Sequence, residues 1–293
     1  MKTNAYIYNK VKQTAWAVLT LLLLAGMPTD AAAQKRLTIL HTNDTHSTIE
    51  PLNVGLADTM KAGRGGYMRR AAMIRDERAI DPDLLLFDSG DFSQGSGYYT
   101  LFQGEVEVEL MNRMGYDAAT IGNHEFDFGL ENMARLFKMA KFPIVCANYD
   151  FTGTVCEGLV KPYIILKRKG VKIGVFGLAP RMQGLVSSKN CVGVKFLDPA
   201  TVARETAELL KVKMKCDVVI CISHLGWQVS THTDEQMVAG SRYIDLVLGG
   251  HTHTYMPSLE YTPNMDGQMI PVDQNGKHAI FVGKLIMELK RKR

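Results

Sequence analysis

Apolar positions along this chain keep two rhythms. Short runs rich in branched residues recur at 37–40, 84–87, 118–121, 144–147, 171–178, 218–222 and 244–248. Runs of that length, closed by polar and turn-forming residues, predict strands in largely buried sheets. The stretches 67–80, 105–114, 131–141 and 200–214 instead place apolar residues three and four apart, which predicts helices with one apolar face. Leu130, Met133, Ala134 and Phe137 show that spacing. Strand and helix alternate, so the fold class is α/β. Near the end, 269–272, 279–282 and 285–289 read as antiparallel strands with no helix between them, which predicts mixed rather than purely parallel sheets. The sequence shows no internal repeat and no Pro- or Ser-rich linker.

Polar clusters follow several of these strands directly: Asp44-Thr45-His46, Gly90-Asp91, Gly122-Asn123-His124-Glu125, His224, and Gly249-Gly250-His251-Thr252-His253. Ligands of α/β sheets gather outside the carboxyl ends of strands, so five strand ends can converge on one place. On a strand, residues i and i+2 share a face, which lets Asp44 and His46 reach one ion. Asp91 lies just past an apolar run, and its two carboxylate oxygens can bridge two ions. Asp88 competes for that role, but Gly90 lets Asp91 sit beyond the strand. Asn123 offers a neutral carbonyl ligand. His124, its neighbour, is expected to point elsewhere, toward a substrate. Asp127 can accept a hydrogen bond from one ring nitrogen of His124, and Glu125 is the alternative partner. His224 ends one apolar run. His251 and His253 end another through two glycines, whose tight backbone would bring both rings to one point.

Each cluster alone has an ordinary reading as a turn, a helix cap or a structural histidine. Asp44, His46, Asp91, Asn123, His224, His251 and His253 all at strand ends point instead to a shared site for two ions.

Composition narrows the class. The chain has 46% apolar and 22% charged residues, ordinary for a globular protein. Residues 34–293 suit one large domain with a substantial core. Residues 1–33 read differently: Lys2, Lys10 and Lys12, an apolar run at 15–25, then Ala31-Ala32-Ala33 before Gln34. That order predicts a cleavable signal peptide and a secreted or periplasmic protein. The run is shorter than the roughly 20 residues of a spanning helix, so no membrane anchor is expected. The net charge of +4 falls to about +2 without the leader, too little to argue for a nucleic acid polymer or a membrane surface. The basic tail 290–293 reads as a solvated terminus. Cysteines number five, so they cannot all pair within the chain. Cys216 and Cys221 read as core residues, no pair has a zinc-ligand spacing, and no disulfide is selected by sequence.

The motifs in combination resemble the calcineurin-like metallophosphoesterases, and within them the catalytic domain of the 5′-nucleotidase/UDP-sugar hydrolase family. The resemblance rests on Ile39 through His46, Ser89 through Ser96, Gly122 through Asp127, Ser223-His224 and Gly249 through His253, and covers nearly all of 34–293. It implies a four-layer α-β-β-α sandwich. It also implies two divalent metal ions (Zn, Mn, Co or Fe), one held by Asp44, His46, Asp91 and His253, the other by Asp91, Asn123, His224 and His251. His124 would be the catalytic histidine and Asp127 its orienting partner. The implied reaction is dephosphorylation of a nucleotide by a metal-bound hydroxide.

This sequence also departs from the family. His253 stands where nucleotidases often carry Gln or Asn, and Ser47 where the first motif usually has Gly. The family's C-terminal substrate-recognition domain does not follow. The expectation is therefore a 5′-nucleotidase-like hydrolase whose recognition domain comes from a separate chain. Alternatives are a 2′,3′-cyclic-nucleotide phosphodiesterase, a UDP-sugar pyrophosphatase, or a metal-binding accessory subunit that turns over nothing. The leader reading gives a direct test. Exported with its own first residues, the protein should begin at Gln34, read by N-terminal sequencing; a chain that retains residues 1–33 after export would refute it.

Overall fold

Strands and helices alternate through the chain in the computed structural model, which describes residues 35–228 and 231–289. The expected leader and the basic tail lie outside the described residues. In chain order the elements are β1 (Lys35–Thr42), α1 (Tyr67–Ile80), β2 (Leu85–Asp88), α2 (Gly97–Phe102), α3 (Glu105–Met114), β3 (Ala118–Ala119), α4 (Gly129–Met139), β4 (Ile144–Val145), β5 (Tyr149–Asp150), β6 (Val160–Lys161), β7 (Tyr163–Arg168) and β8 (Val171–Leu178). They continue with β9 (Lys195–Phe196), α5 (Pro199–Glu208), β10 (Val218–Ser223), α6 (Asp234–Ala239), β11 (Leu246–Leu248), β12 (Glu260–Pro263), β13 (Met269–Asp273) and β14 (Gly283–Leu289).

Two six-stranded sheets result, ordered β14-β1-β2-β3-β4-β6 and β12-β13-β11-β10-β8-β7. Neighbours from β1 to β6 in the first sheet pair in parallel, as do β8, β10, β11 and β13 in the second. Strands β7 and β12 pair antiparallel at the two edges of the second sheet, so it is mixed.

Alternation along the strands builds the layers. Leu40, Leu86 and Ala119 pack with Val108 and Met111 of α3 and Met133 and Phe137 of α4. Phe176, Val219 and Val247 pack with Ala203 and Ala207 of α5 and Met237 of α6. Their strand neighbours, such as Ile39, Phe87, Val175 and Ile220, are buried but belong to neither cluster, and face the space between the sheets. The order is helix, sheet, sheet, helix.

The two sheets approach closely at Gly177. A Cβ there would lie 2.0 Å from the Val145 carbonyl oxygen and 2.5 Å from Thr120 Oγ1. The Ala147 amide donates to the Gly177 carbonyl at 2.8 Å. At another point His41 of β1 meets Asp273 of β13, with Nε2 2.7 Å from Oδ2, both buried.

The structure corrects the reading of the C-terminal segment. Residues 279–282 form no strand: His278 and Ala279 are left-handed, at φ 62° and 46°, and the His278 amide donates to the Asp44 carbonyl at 2.8 Å. That bond bends the chain past the loop after β1 instead of letting it extend. Strand β13 pairs antiparallel only with β12, is parallel to β11, and lies in a different sheet from β14. Strands β5, β6, β7, β9 and β12 and helices α2 and α6 are additions to the expected set. All five cysteines are free, and only Cys191 is more than slightly exposed. Among the described residues no helix is long and apolar enough to cross a membrane.

Because the nearest neighbour of that Cβ is the Val145 backbone, Gly177→Ala should destabilise by roughly 1–3 kcal/mol. The urea midpoint reads this, and an unchanged midpoint would show that the sheets can part there without cost.

Candidate metal centre

Strand register sets up the site. Thr42 pairs with Asp88, Ile222 with Leu248, and Leu248 with Asp273, so adjacent strands end level and their loops emerge at one edge. Those loops are then tied together. Amides of Asp44, His46 and Ser47 donate to carbonyls of Gly90, Asp91 and Phe92, each at 3.0 Å. The His124 amide donates to Asp91 Oδ1 at 2.9 Å, and the His251 amide to Asp44 Oδ2 at 2.9 Å. Ser89 Oγ donates to the Leu248 carbonyl at 2.8 Å, across the two sheets.

The local backbone differs from the sequence expectation. Strand β1 stops at Thr42, and Asp44 and His46 occupy left-handed positions at φ 48° and 43°. They reach the same place through a tight loop, not through alternation on a strand. Asp91, His251 and His253 are also left-handed, at φ 53°, 73° and 55°. Each such residue costs about 1–3 kcal/mol unless its surroundings hold it. The glycines before His251 serve closeness of approach. A Cβ on Gly250 would lie 2.9 Å from both His224 Nδ1 and the Ser89 carbonyl oxygen.

Three groups of side chains come together, each with its ligand-type atoms within 4.8 Å of one another: Asp44, His46 and His253; Asp91, His224 and His251; and His46, Asp91 and His124. His251 and His253 thus enter different groups rather than one point. His253 Nε2 lies 3.4 Å from Asp44 Oδ1 and 2.9 Å from His46 Nε2. His224 Nε2 lies 3.0 Å from Asp91 Oδ2. Asp88 stays out, accepting from Thr42 Oγ1 at 2.6 Å and the Gly90 amide at 3.0 Å.

Asp44 and Asp91 are almost fully buried, at 0% and 2% exposure. Burial opposes ionisation of Asp91, but His224 beside it outweighs this and holds its carboxyl well below the usual range. Burial likewise opposes protonation of His224. The Asp91 and Asp44 carboxylates outweigh it and raise the ring to about 10. Burial lowers His46, and with the nearby His224 it lowers His251 to about 4.

The donor set fits divalent cations. It combines carboxylate oxygens with imidazole nitrogens and no thiolate, the chemistry of Zn, Mn, Co and Fe sites. Two buried atoms here have no hydrogen-bond partner: His46 Nδ1 and Asn123 Oδ1. Buried polar atoms left unpaired are costly, and a cation supplies what these lack.

His124 stands at the edge. Its Nδ1 lies 3.0 Å from Asp127 Oδ2, with side-chain exposures of 31% and 37%. Burial opposes its protonation, but the Asp127 hydrogen bond and the Asp91 charge outweigh it and raise the ring. Glu125, the alternative partner, is committed elsewhere. Its carboxylate accepts from the amides of Gly122, Asp91 and Ser93 at 2.6, 3.0 and 3.2 Å. Sequence reasoning misses this bracing role, and also that of Asn43, whose Nδ2 donates to Asp44 Oδ2 at 2.6 Å. The available signal is that both residues adjoin predicted site positions. His278, with its ring 5.8 Å from that of His46, carries no such signal.

Known proteins share this sequence pattern and fold. The sequence profile of the calcineurin-like phosphoesterase family matches residues 37–255. A 5′-nucleotidase of Bos taurus is 31% identical over 293 residues, covering 94% of this chain and 50% of that protein. The crystal structure of a 5′-nucleotidase precursor from Thermus thermophilus superposes with a TM-score of 0.78 at 29% identity, covering 86% of this chain and 51% of that one. The calcineurin-like phosphoesterase YfkN of Bacillus subtilis gives a TM-score of 0.72 at 28% identity, covering 88% and 86%. The chain spans about half the length of the curated 5′-nucleotidases it matches.

A Cβ on Gly122 would lie 2.1 Å from Asp91 Oδ1 and 2.6 Å from the Asp91 amide nitrogen. Gly122→Ala should therefore displace Asp91 and abolish most of the rise in melting temperature on adding Mn²⁺. A full Mn²⁺-dependent rise in this variant would show that Asp91 holds no metal.

Proposed function

The chain belongs to the calcineurin-like phosphoesterase family, and we propose that it is a metal-dependent phosphoester hydrolase acting on 5′-nucleotides. The observation that carries this reading is the buried Asp and His groups with unpaired donor atoms, set beside a half-exposed His124–Asp127 pair. We assign one cation to Asp44, His46, Asp91 and His253 and a second to Asp91, Asn123, His224 and His251. Bound there, the ions would supply Lewis acidity and a water of lowered pKa.

The chain's own residues supply the rest. Asp127 occupies Nδ1 of His124, which fixes the ring and leaves Nε2 to meet the substrate. The raised pKa of His124 favours the imidazolium, which can donate to a phosphoryl oxygen or protonate the leaving oxygen. Glu125 holds the Asp91 and Gly122 amides, so that Asp91 cannot swing away. Burial lowers the basicity of His46 and His251, which favours the neutral form that binds metal, whereas a cation at His224 would have to displace the proton that the Asp91 and Asp44 carboxylates favour there.

The greater length of the curated relatives supports a recognition domain beyond the catalytic half, whichever chain carries it. Export, expected from residues 1–33, is part of the same proposal. A second substrate reading, other nucleotide phosphoesters, is favoured by a Bacillus subtilis relative named as a trifunctional nucleotide phosphoesterase, 30% identical over 281 residues.

A panel of nucleoside monophosphates, UDP-sugars and 2′,3′-cyclic nucleotides tests the assignment. His124→Ala should lower kcat about 100- to 10,000-fold while metal content stays, whereas Asp91→Asn should lose both metal and activity. Wild-type activity in either variant would overturn the assignment.

A further inference from the structure

Arginines gather where helix α1 begins. A cavity of about 390 Å³ lies there, lined by Arg64, Arg69 and Arg70, by Gly65 and Gly66, and by the segment 279–282. Among the described residues that line it, none is acidic and none is an assigned metal ligand. Gly66 is the N-cap of α1, no side chain caps the helix, and its first turn carries no acid. The uncapped amides add partial positive charge to that of the three guanidinium groups.

Arg70 sets the chemistry. It is only 7% exposed, whereas Arg64 and Arg69 are exposed. Its Nε and Nη1 are buried without a hydrogen-bond partner. A guanidinium cannot shed its proton to escape the cost of burial, so this charge calls for a counterion. Within the protein the candidate is Asp88, whose carboxyl senses Arg70. Its oxygens, however, accept from Thr42 Oγ1 at 2.6 Å and the Gly90 amide at 3.0 Å. Burial also pushes the Asp88 carboxyl up to about 7. Near neutral pH it is ionised only in part and does not balance Arg70 in full.

The turn that carries the arginines is held in place. The Leu52 amide donates to the Arg64 carbonyl, and the Tyr67 amide to the Ile49 carbonyl, each at 2.8 Å. A Cβ on Gly65 would lie 2.9 Å from the His278 carbonyl oxygen, and one on Gly66 2.9 Å from the Pro51 nitrogen. The glycines thus let the turn pack against backbone on two sides.

We infer that this cavity binds a phosphate group through Arg64, Arg69, Arg70 and the first amides of α1, at a site separate from the metal centre. A tetrahedral dianion offers several acceptor oxygens to forked guanidinium donors, which a halide does not. Met73, Ile280 and Phe281 make part of the wall apolar, suited to an organic group that carries the phosphate. The site does not depend on what the metal centre hydrolyses.

Calorimetric titration of the metal-free chain tests this, because chelation removes cations that would themselves draw phosphate. Inorganic phosphate should bind saturably, and chloride at equal ionic strength should not displace it. Arg64→Ala/Arg69→Ala should weaken binding about tenfold or more, and Arg70→Met at least as much, while His124→Ala leaves it unchanged. Because Arg64 and Arg69 are exposed, that pair reads the site even where Arg70→Met fails to fold. Phenylphosphonate distinguishes the source. Tighter binding than inorganic phosphate assigns the site to a phosphate on an organic carrier; equal or weaker binding assigns it to the free ion. No binding by the metal-free wild type, equal binding by Arg64→Ala/Arg69→Ala, or loss of binding in His124→Ala would overturn the inference.

Discussion

Two carboxylates buried at the meeting of two sheets set the terms for everything around them. Taking an ionised group out of water costs several kcal/mol even after the protein relaxes. Asp44 and Asp91 are therefore ringed by imidazoles and by backbone amides turned inward, such as those of His251 and His124. The arrangement balances most of the negative charge but leaves donor atoms without partners. A protein that needed only stability would bury apolar residues here. The site makes physical sense as a receptacle for cations.

Holding such a receptacle demands a stiff frame. The carboxyl ends of strands in both sheets are level, and cross-sheet bonds lock them: His41 to Asp273, Ser89 to Leu248, and Ala147 to Gly177. The loops then absorb the strain. Five residues of the centre sit in the left-handed region, where side chains other than glycine are disfavoured. Several of those backbones are fixed by a bond to a neighbouring loop, so the strain is spread over the cluster.

Much of this is legible in the sequence, for definite reasons. Parallel strands buried on both faces leave nearly continuous apolar runs, which is why β2 and β10 stand out. The polar residues following them mark where ligands gather. Edge strand β7 is hidden because its residues are only partly buried and carry no clear pattern. The turn at 278–282 reads wrongly as strand because its apolar residues line a loop whose path is set by one bond to Asp44. Spacing also gives the wrong reason for the convergence of Asp44 and His46, since a left-handed backbone leaves no trace in it. His278 and the role of Glu125 need coordinates, because both depend on contacts between loops distant in sequence.

Asp91 is where these dependencies meet. It takes part in two of the three side-chain groups, offers its carbonyl to His46 and its Oδ1 to the His124 amide, and gives its own amide to Glu125. A residue fastened at so many atoms cannot be readjusted for one neighbour without disturbing the others. Changes in the loops at 43–47, 122–125 and 249–253 are consequently coupled through it, and their effects on the centre do not add. Sequence drift in this region has to come as concerted sets of replacements, which narrows the paths by which the protein can diverge while keeping its chemistry.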